Sequence, residues 1–101
     1  MTVTTKLEGP KLTVYAEGRL GTPSAAELEN AVKNNIKGVT ELVFDFENLE
    51  YMASAGLRVL LSAAKVMKKQ GSMKIINVSP AVMDVFTFTG MADIMDIEAK
   101  G

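Results

Sequence analysis

The stretch from Phe44 to Leu61, Phe-Asp-Phe-Glu-Asn-Leu-Glu-Tyr-Met-Ala-Ser-Ala-Gly-Leu-Arg-Val-Leu-Leu, constrains this 101-residue chain more than any other. It starts within Leu42-Val43-Phe44-Asp45-Phe46, a nearly continuous apolar run rich in strand formers. Such a run reads as a central strand, buried on both faces and covered by helices. A short acidic loop follows, and then a helix from Ser54 to Gln70 that opens on the bare turn Ala53-Ser54-Ala55-Gly56. Leu57, Leu60, Leu61, Ala64 and Met67 form its expected core stripe, with Arg58, Ser62, Lys65 and Lys69 on the other side and Gly71 as its end. The next strand is Met73 to Val78. A strand, a helix and a strand in succession imply a crossover connection and a mainly parallel sheet.

The rest of the chain fits that plan. Residues 2 to 8 and 11 to 20 read as two strands joined by a turn at Gly9-Pro10. In the second, Leu12, Val14 and Ala16 alternate with Thr13, Tyr15 and Glu17, the period of a sheet with one covered face. A helix then starts at Thr22, with Pro23 in its first position, or at Ser24, with Glu27 completing a capping box. Ala25, Leu28, Val32 and Ile36 fall on one face of it, and Gly38 suits its end. Ser79-Pro80 opens a third helix with Val82, Val85 and Phe86 inward and Gly90 as its stop. Ile94 to Ile97 is expected as a last edge strand. The whole, residues 1–101, is one α/β domain.

Inventory removes most chemistry. The chain has no histidine and no cysteine. That takes away the commonest general base, the Ser-His-Asp arrangement, thiolate or imidazole metal sites and disulfides. Neither a phosphate-cradling Gly-x-x-x-x-Gly-Lys-Ser/Thr loop nor a dinucleotide-binding Gly-x-Gly-x-x-Gly is present, and no cofactor is expected. A net charge of −1 supplies no basic field for nucleic acid. No apolar run approaches the ~20 residues that span a bilayer, and the expected compartment is the cytoplasm.

What remains is a small set of candidates. Asp45, Glu47 and Glu50 read as a solvated acidic loop in preference to a cation site. Met52, Met67 and Met73 are expected in the core, with Met83, Met91 and Met95 partly available to a partner. Arg58, Lys65 and Lys69 are either the wet face of an amphipathic helix or a partner surface running down from Ser54. Ser54 itself is either an N-cap, a role usually worth ~1 kcal/mol, or a phosphorylation site. Its neighbours Ala53, Ala55 and Gly56 leave the hydroxyl unshielded, and a phosphate at a helix N-terminus meets the positive end of the dipole. The two roles are compatible.

These residues also resemble a known family. Leu42 to Phe46 followed by Tyr51-Met52-Ala53-Ser54-Ala55-Gly56-Leu57-Arg58-Val59-Leu60-Leu61 is similar to the core signature of STAS domains of the anti-sigma-factor antagonist type. Gly18-Arg19-Leu20, Ser79-Pro80-Ala81-Val82 and Phe86-Thr87-Phe88-Thr89-Gly90-Met91 support it, in the right order and spacing. The resemblance implies the STAS fold, a mixed sheet of roughly four to five strands with helices mainly on one side. It also implies partner switching. The unmodified protein binds an anti-sigma factor that is itself an ATP-binding serine kinase, and so releases a sigma factor. The kinase phosphorylates a serine at the start of the second helix, here Ser54, and a PP2C-type phosphatase reverses the step. The matching partner surface is Gly21, Thr22, Tyr51, Met52, Ala53, Ser54, Ala55, Gly56, Arg58, Ser62 and Lys65, on a protein expected to be a monomer. Two positions depart from the pattern: Ala53 and Gly21 stand where the family often has aspartate. Such a chain is expected to be a binding module without enzymatic activity. A STAS scaffold or subunit of a signalling or lipid-transport assembly, with no serine switch, is the alternative; a small-ligand-binding domain ranks last on inventory.

Overall fold

The computed structural model describes residues 2–100. The elements run β1 (Thr2–Glu8), β2 (Lys11–Leu20), α1 (Thr22–Lys33), β3 (Glu41–Asp45), β4 (Leu49–Met52), α2 (Ser54–Gln70), β5 (Ser72–Val78), α3 (Pro80–Thr89), a 3₁₀ turn (Met91–Asp93) and β6 (Asp96–Ala99). The sheet order is β1-β2-β3-β5-β6, with β4 attached separately to β2. Among the described residues only the β1–β2 hairpin is antiparallel; the crossover pairs β2–β3, β3–β5 and β5–β6 are parallel. This is the expected mixed sheet, with one strand more than expected.

The register divides the sheet into two unlike faces. Leu12 stands beside Leu42 and Val14 beside Phe44, and Phe44 stands beside Ile75. These side chains share one core with Leu28, Leu57, Leu60, Met67 and Phe86 from the three helices. Lys11, Thr13, Tyr15, Glu41, Val43, Asp45 and Lys74 occupy the opposite face by alternation. Helices therefore cover one face only, as the family resemblance implies, and not both faces of β3 as its apolar run suggests. Val43 is nevertheless buried on the open face, because the register places Thr13 on one side of it and Lys74 on the other.

Several boundaries differ from those the sequence predicts. The acidic loop contains β4, whose Leu49 and Met52 are buried while Glu50 and Tyr51 are exposed. Helix α1 ends at Lys33, and Gly38 turns the chain further on, at φ 83°. Neither Thr22 nor Ser24 is its N-cap. Gly21 is, and the Ser24 hydroxyl reaches back to accept from the Gly21 amide at 2.8 Å. Strand β6 lies two residues later than expected, leaving Ile94 in the turn before it and exposed. On α2, Leu61 and Ala64 are half-exposed, whereas Val59 and Ala63 are buried. Helix α3 follows expectation: Ser79 caps it by accepting from the Val82 amide at 3.4 Å, and Gly90 closes it in the left-handed region at φ 79°. Met52 and Met67 are buried and Met73 half-buried, as are Met83, Met91 and Met95.

Candidate functional site

The site is built where β2 changes partners. Residues Lys11–Tyr15 pair with β3, but from Gly18 onward β2 pairs with β4, with a register shift between Gly18 and Arg19. Gly18 has a φ of 95°, a conformation glycine adopts without the Cβ penalty. Its amide donates to the Asn48 carbonyl at 3.0 Å, and Asn48 Nδ2 donates to Glu17 Oε1 at 3.3 Å. These contacts bring β4 alongside the end of β2, so that Arg19 stands beside Tyr51 and Leu20 beside Met52.

Two helix starts consequently lie side by side. The Ala53 amide donates to the Leu20 carbonyl at 2.8 Å, directly before each strand gives way to its helix. Gly21 caps α1 and Ala53 caps α2. Ser54 is the first helical residue of α2, and Ala53 offers no capping side chain. Ser54 is thus not the N-cap, and its exposed hydroxyl is not committed to that role.

The platform beneath is rigid. Gly56 sits so close to β2 and β4 that an added Cβ would lie 2.7 Å from Leu20 Cδ2 and 2.9 Å from Met52 Cγ. Both side chains are essentially fully buried, so neither has room to retreat. Burial removes Met52 and Gly56 from the surface expected to meet a partner; they lie beneath its exposed residues. Thr22, Tyr51, Ser54, Arg58, Ser62 and Lys65 are exposed, and Gly21, Ala53 and Ala55 half-exposed. The structure therefore brings the β2–α1 junction and the start of α2 together on one rim, with Arg58, Ser62 and Lys65 continuing down α2.

Arg19 belongs to this rim and was not singled out from sequence. Its guanidinium lies 4.5 Å from the centre of the Tyr51 ring, and both residues are exposed. The contact depends on the β2–β4 pairing, which the sequence did not reveal. The carboxylates have separate roles. Asp45 Oδ1 accepts from the Glu47 amide and from Asn77 Nδ2, each at 3.1 Å. Among the described residues no group of acidic side chains is arranged to hold a metal ion.

The match to known proteins now has a geometry behind it. The STAS domain model matches residues 2–100. The Bacillus subtilis anti-sigma-B factor antagonist is 34% identical over 88 residues, covering 86% of this chain and 81% of the relative. The chain is a STAS domain of the anti-sigma factor antagonist family. Its fold is that of SpoIIAA. The unphosphorylated form of that anti-sigma factor antagonist superposes with a TM-score of 0.84 at 22% identity, covering 95% of this chain and 87% of the other. The phosphorylated form, from Bacillus, superposes with a TM-score of 0.76 at 21% identity, covering 95% and 90%. For this STAS domain, the rim around Ser54 is the candidate site. No helix among the described residues is long and apolar enough to cross a membrane.

Proposed function

We propose that the protein is an anti-sigma factor antagonist whose binding is switched by phosphorylation of Ser54. The observation that carries this reading is the state of the Ser54 hydroxyl: exposed, first in α2, and one residue past the N-cap position, which Ala53 occupies. The names of its relatives support it, since one antagonises an anti-sigma factor and SpoIIAA exists in a phosphorylated form. In the unmodified state the rim docks on a serine-kinase anti-sigma factor and thereby frees a sigma factor. The kinase transfers the γ-phosphoryl group of ATP to Ser54 Oγ, releasing ADP. A PP2C-type phosphatase hydrolyses the ester, returning the hydroxyl and inorganic phosphate.

The physical cost of the switch falls on the complex. A phosphate adds about −1.5 to −2 charge, and the first turn of a helix is where the dipole accommodates it. The fold therefore survives while the docking face changes sign beside Arg58. Incubation with ATP and the anti-sigma kinase from the same genome is expected to add one phosphate at Ser54, located by mass spectrometry. Ser54→Asp is expected to abolish capture by that kinase. Undiminished capture of Ser54→Asp would sink the switch reading.

A second reading has one observation in its favour. Neither helix cap on the rim carries a carboxylate, since Gly21 and Ala53 occupy the positions where the family often has aspartate. A STAS scaffold of a signalling or lipid-transport assembly needs no phosphorylated serine. Such a protein would keep its partner after Ser54→Asp.

A further inference from the structure

A groove of about 430 Å³ runs between the C-terminal half of α2 and the segment leading into β6. Its floor and walls include Leu61, Ala64, Met73, Met95 and Ile94. The first four are only half-buried, and Ile94 is 65% exposed. Ile94 standing in solvent beside four half-buried apolar side chains gives a partner apolar area to bury. The two methionines add flexible, polarisable walls that can adapt to a partner.

Two further observations say what fits there. Lys65 and Lys68 line the α2 side of the groove. Asp96, the register partner of Lys74, projects with it to the open face of the sheet, away from α2, where Lys74 is paired with Glu98 at 2.7 Å. The groove therefore offers a partner two cations along its α2 side. The groove is also continuous with the Ser54 rim. At 3.6 residues per turn, Ser54, Arg58, Leu61, Lys65 and Lys68 form a single stripe along α2. A partner seated on Ser54 and Arg58 meets the groove by following that stripe.

We propose that the groove is a second docking subsite for the anti-sigma partner, which lays an amphipathic helix in it. The apolar face of that helix covers Leu61 and Ile94, and its carboxylates face Lys65 and Lys68. The inference rests on the Ser54 rim being the primary docking surface, and it extends the footprint beyond the reach of a phosphate on Ser54. Phosphorylation then weakens one end of the interface directly and leaves the other end intact.

The test measures affinity for the purified anti-sigma serine kinase of the same genome, with full-length protein. The double variant Lys65→Glu/Lys68→Glu and, separately, Ile94→Asp are each expected to weaken binding about tenfold at unchanged melting temperature. The effect of the double variant is expected to shrink as salt is raised. Arg58→Glu serves as the control for the rim. If Arg58→Glu weakens binding while both groove variants bind within about twofold of the parent, the second subsite is wrong and the rim stands. If all three bind as the parent does, the docking surface itself is misassigned and both readings fall. Sedimentation of the free protein covers the remaining occupant: a dimer that Ile94→Asp returns to monomer would mean a second copy fills the groove, and would overturn the proposal.

Discussion

The Ala53 amide donates to the Leu20 carbonyl at 2.8 Å, and this one bond joins the last residue of β2 to the residue that caps α2. It sets the starts of α1 and α2 next to each other. That arrangement suits a surface whose chemical state changes while its shape is held.

Because Ala53 and not Ser54 is the cap, removing the Ser54 hydroxyl carries no capping loss. Ser54→Ala is expected to change stability by less than ~0.5 kcal/mol, the usual range for surface substitutions. Ser54→Asp puts an acid in a first turn that has none, and is expected to stabilise by ~0.3–1 kcal/mol at low salt. Urea denaturation checks both. A loss above ~1 kcal/mol in Ser54→Ala would restore the cap to Ser54.

Gly56 is required by proximity. An alanine there is forced against Leu20 and Met52, an overpacking that costs ~1–3 kcal/mol. Better helix propensity offsets ~0.8–1 kcal/mol of it. The expected net effect of Gly56→Ala is a loss of ~1 kcal/mol, seen as a Tm lowered by ~4–8 °C. Gly56→Val is expected to lose more, and an unchanged Tm in both variants would disprove the close approach.

Gly71 closes α2 against β3. A Cβ there would overlap the Thr40 carbonyl, which also accepts from the Ser72 amide at 2.9 Å. Because the obstacle is backbone, the strand has to move. Gly71→Ala is expected to cost at least ~1–3 kcal/mol by chemical denaturation, and a neutral result would mean that β3 and β5 are not held in this register.

Lys74 and Glu98 form an ion pair at 2.7 Å, and the hydrogen bond and charge of Glu98 raise the Lys74 pKa above 10.5. The folded state thus binds the proton more tightly than the unfolded chain. The pair's contribution to stability is complete below pH 10.5 and is lost as pH rises through the folded-state value. Glu98→Gln is expected to shift the Lys74 titration downward in NMR, with no effect on stability near neutral pH beyond that of an exposed pair. A Lys74 titration unmoved by Glu98→Gln would contradict the pairing.

Much of this was readable before any coordinates. Ser79-Pro80 and Gly90 bracket α3 because a side-chain cap, a fixed φ and a left-handed glycine act locally. Alternation placed Leu12, Val14 and Ala16 inside because a strand has only two faces. The errors have a common cause. Strand β4 exists only because β2 bends at Gly18 and offers it an edge, so a four-residue segment with two exposed positions gave no periodic signal. Helix α1 stops at Lys33, short of the glycine expected to end it. Gln70 Nε2, from the end of α2, donates to the Ile36 and Val39 carbonyls at 3.0 and 2.6 Å and holds the intervening segment as a loop.

The sequence by itself determined the alternation of strands and helices, the amphipathic sense of α2 and the presence of a serine at its start, since each follows from local spacing and side-chain type. Only the tertiary structure decided how that serine is presented. The backbone bond between Ala53 and Leu20 and the contact of Gly56 with Leu20 join residues far apart in the chain. They place the cap on Ala53 and leave the Ser54 hydroxyl exposed and uncommitted as a cap.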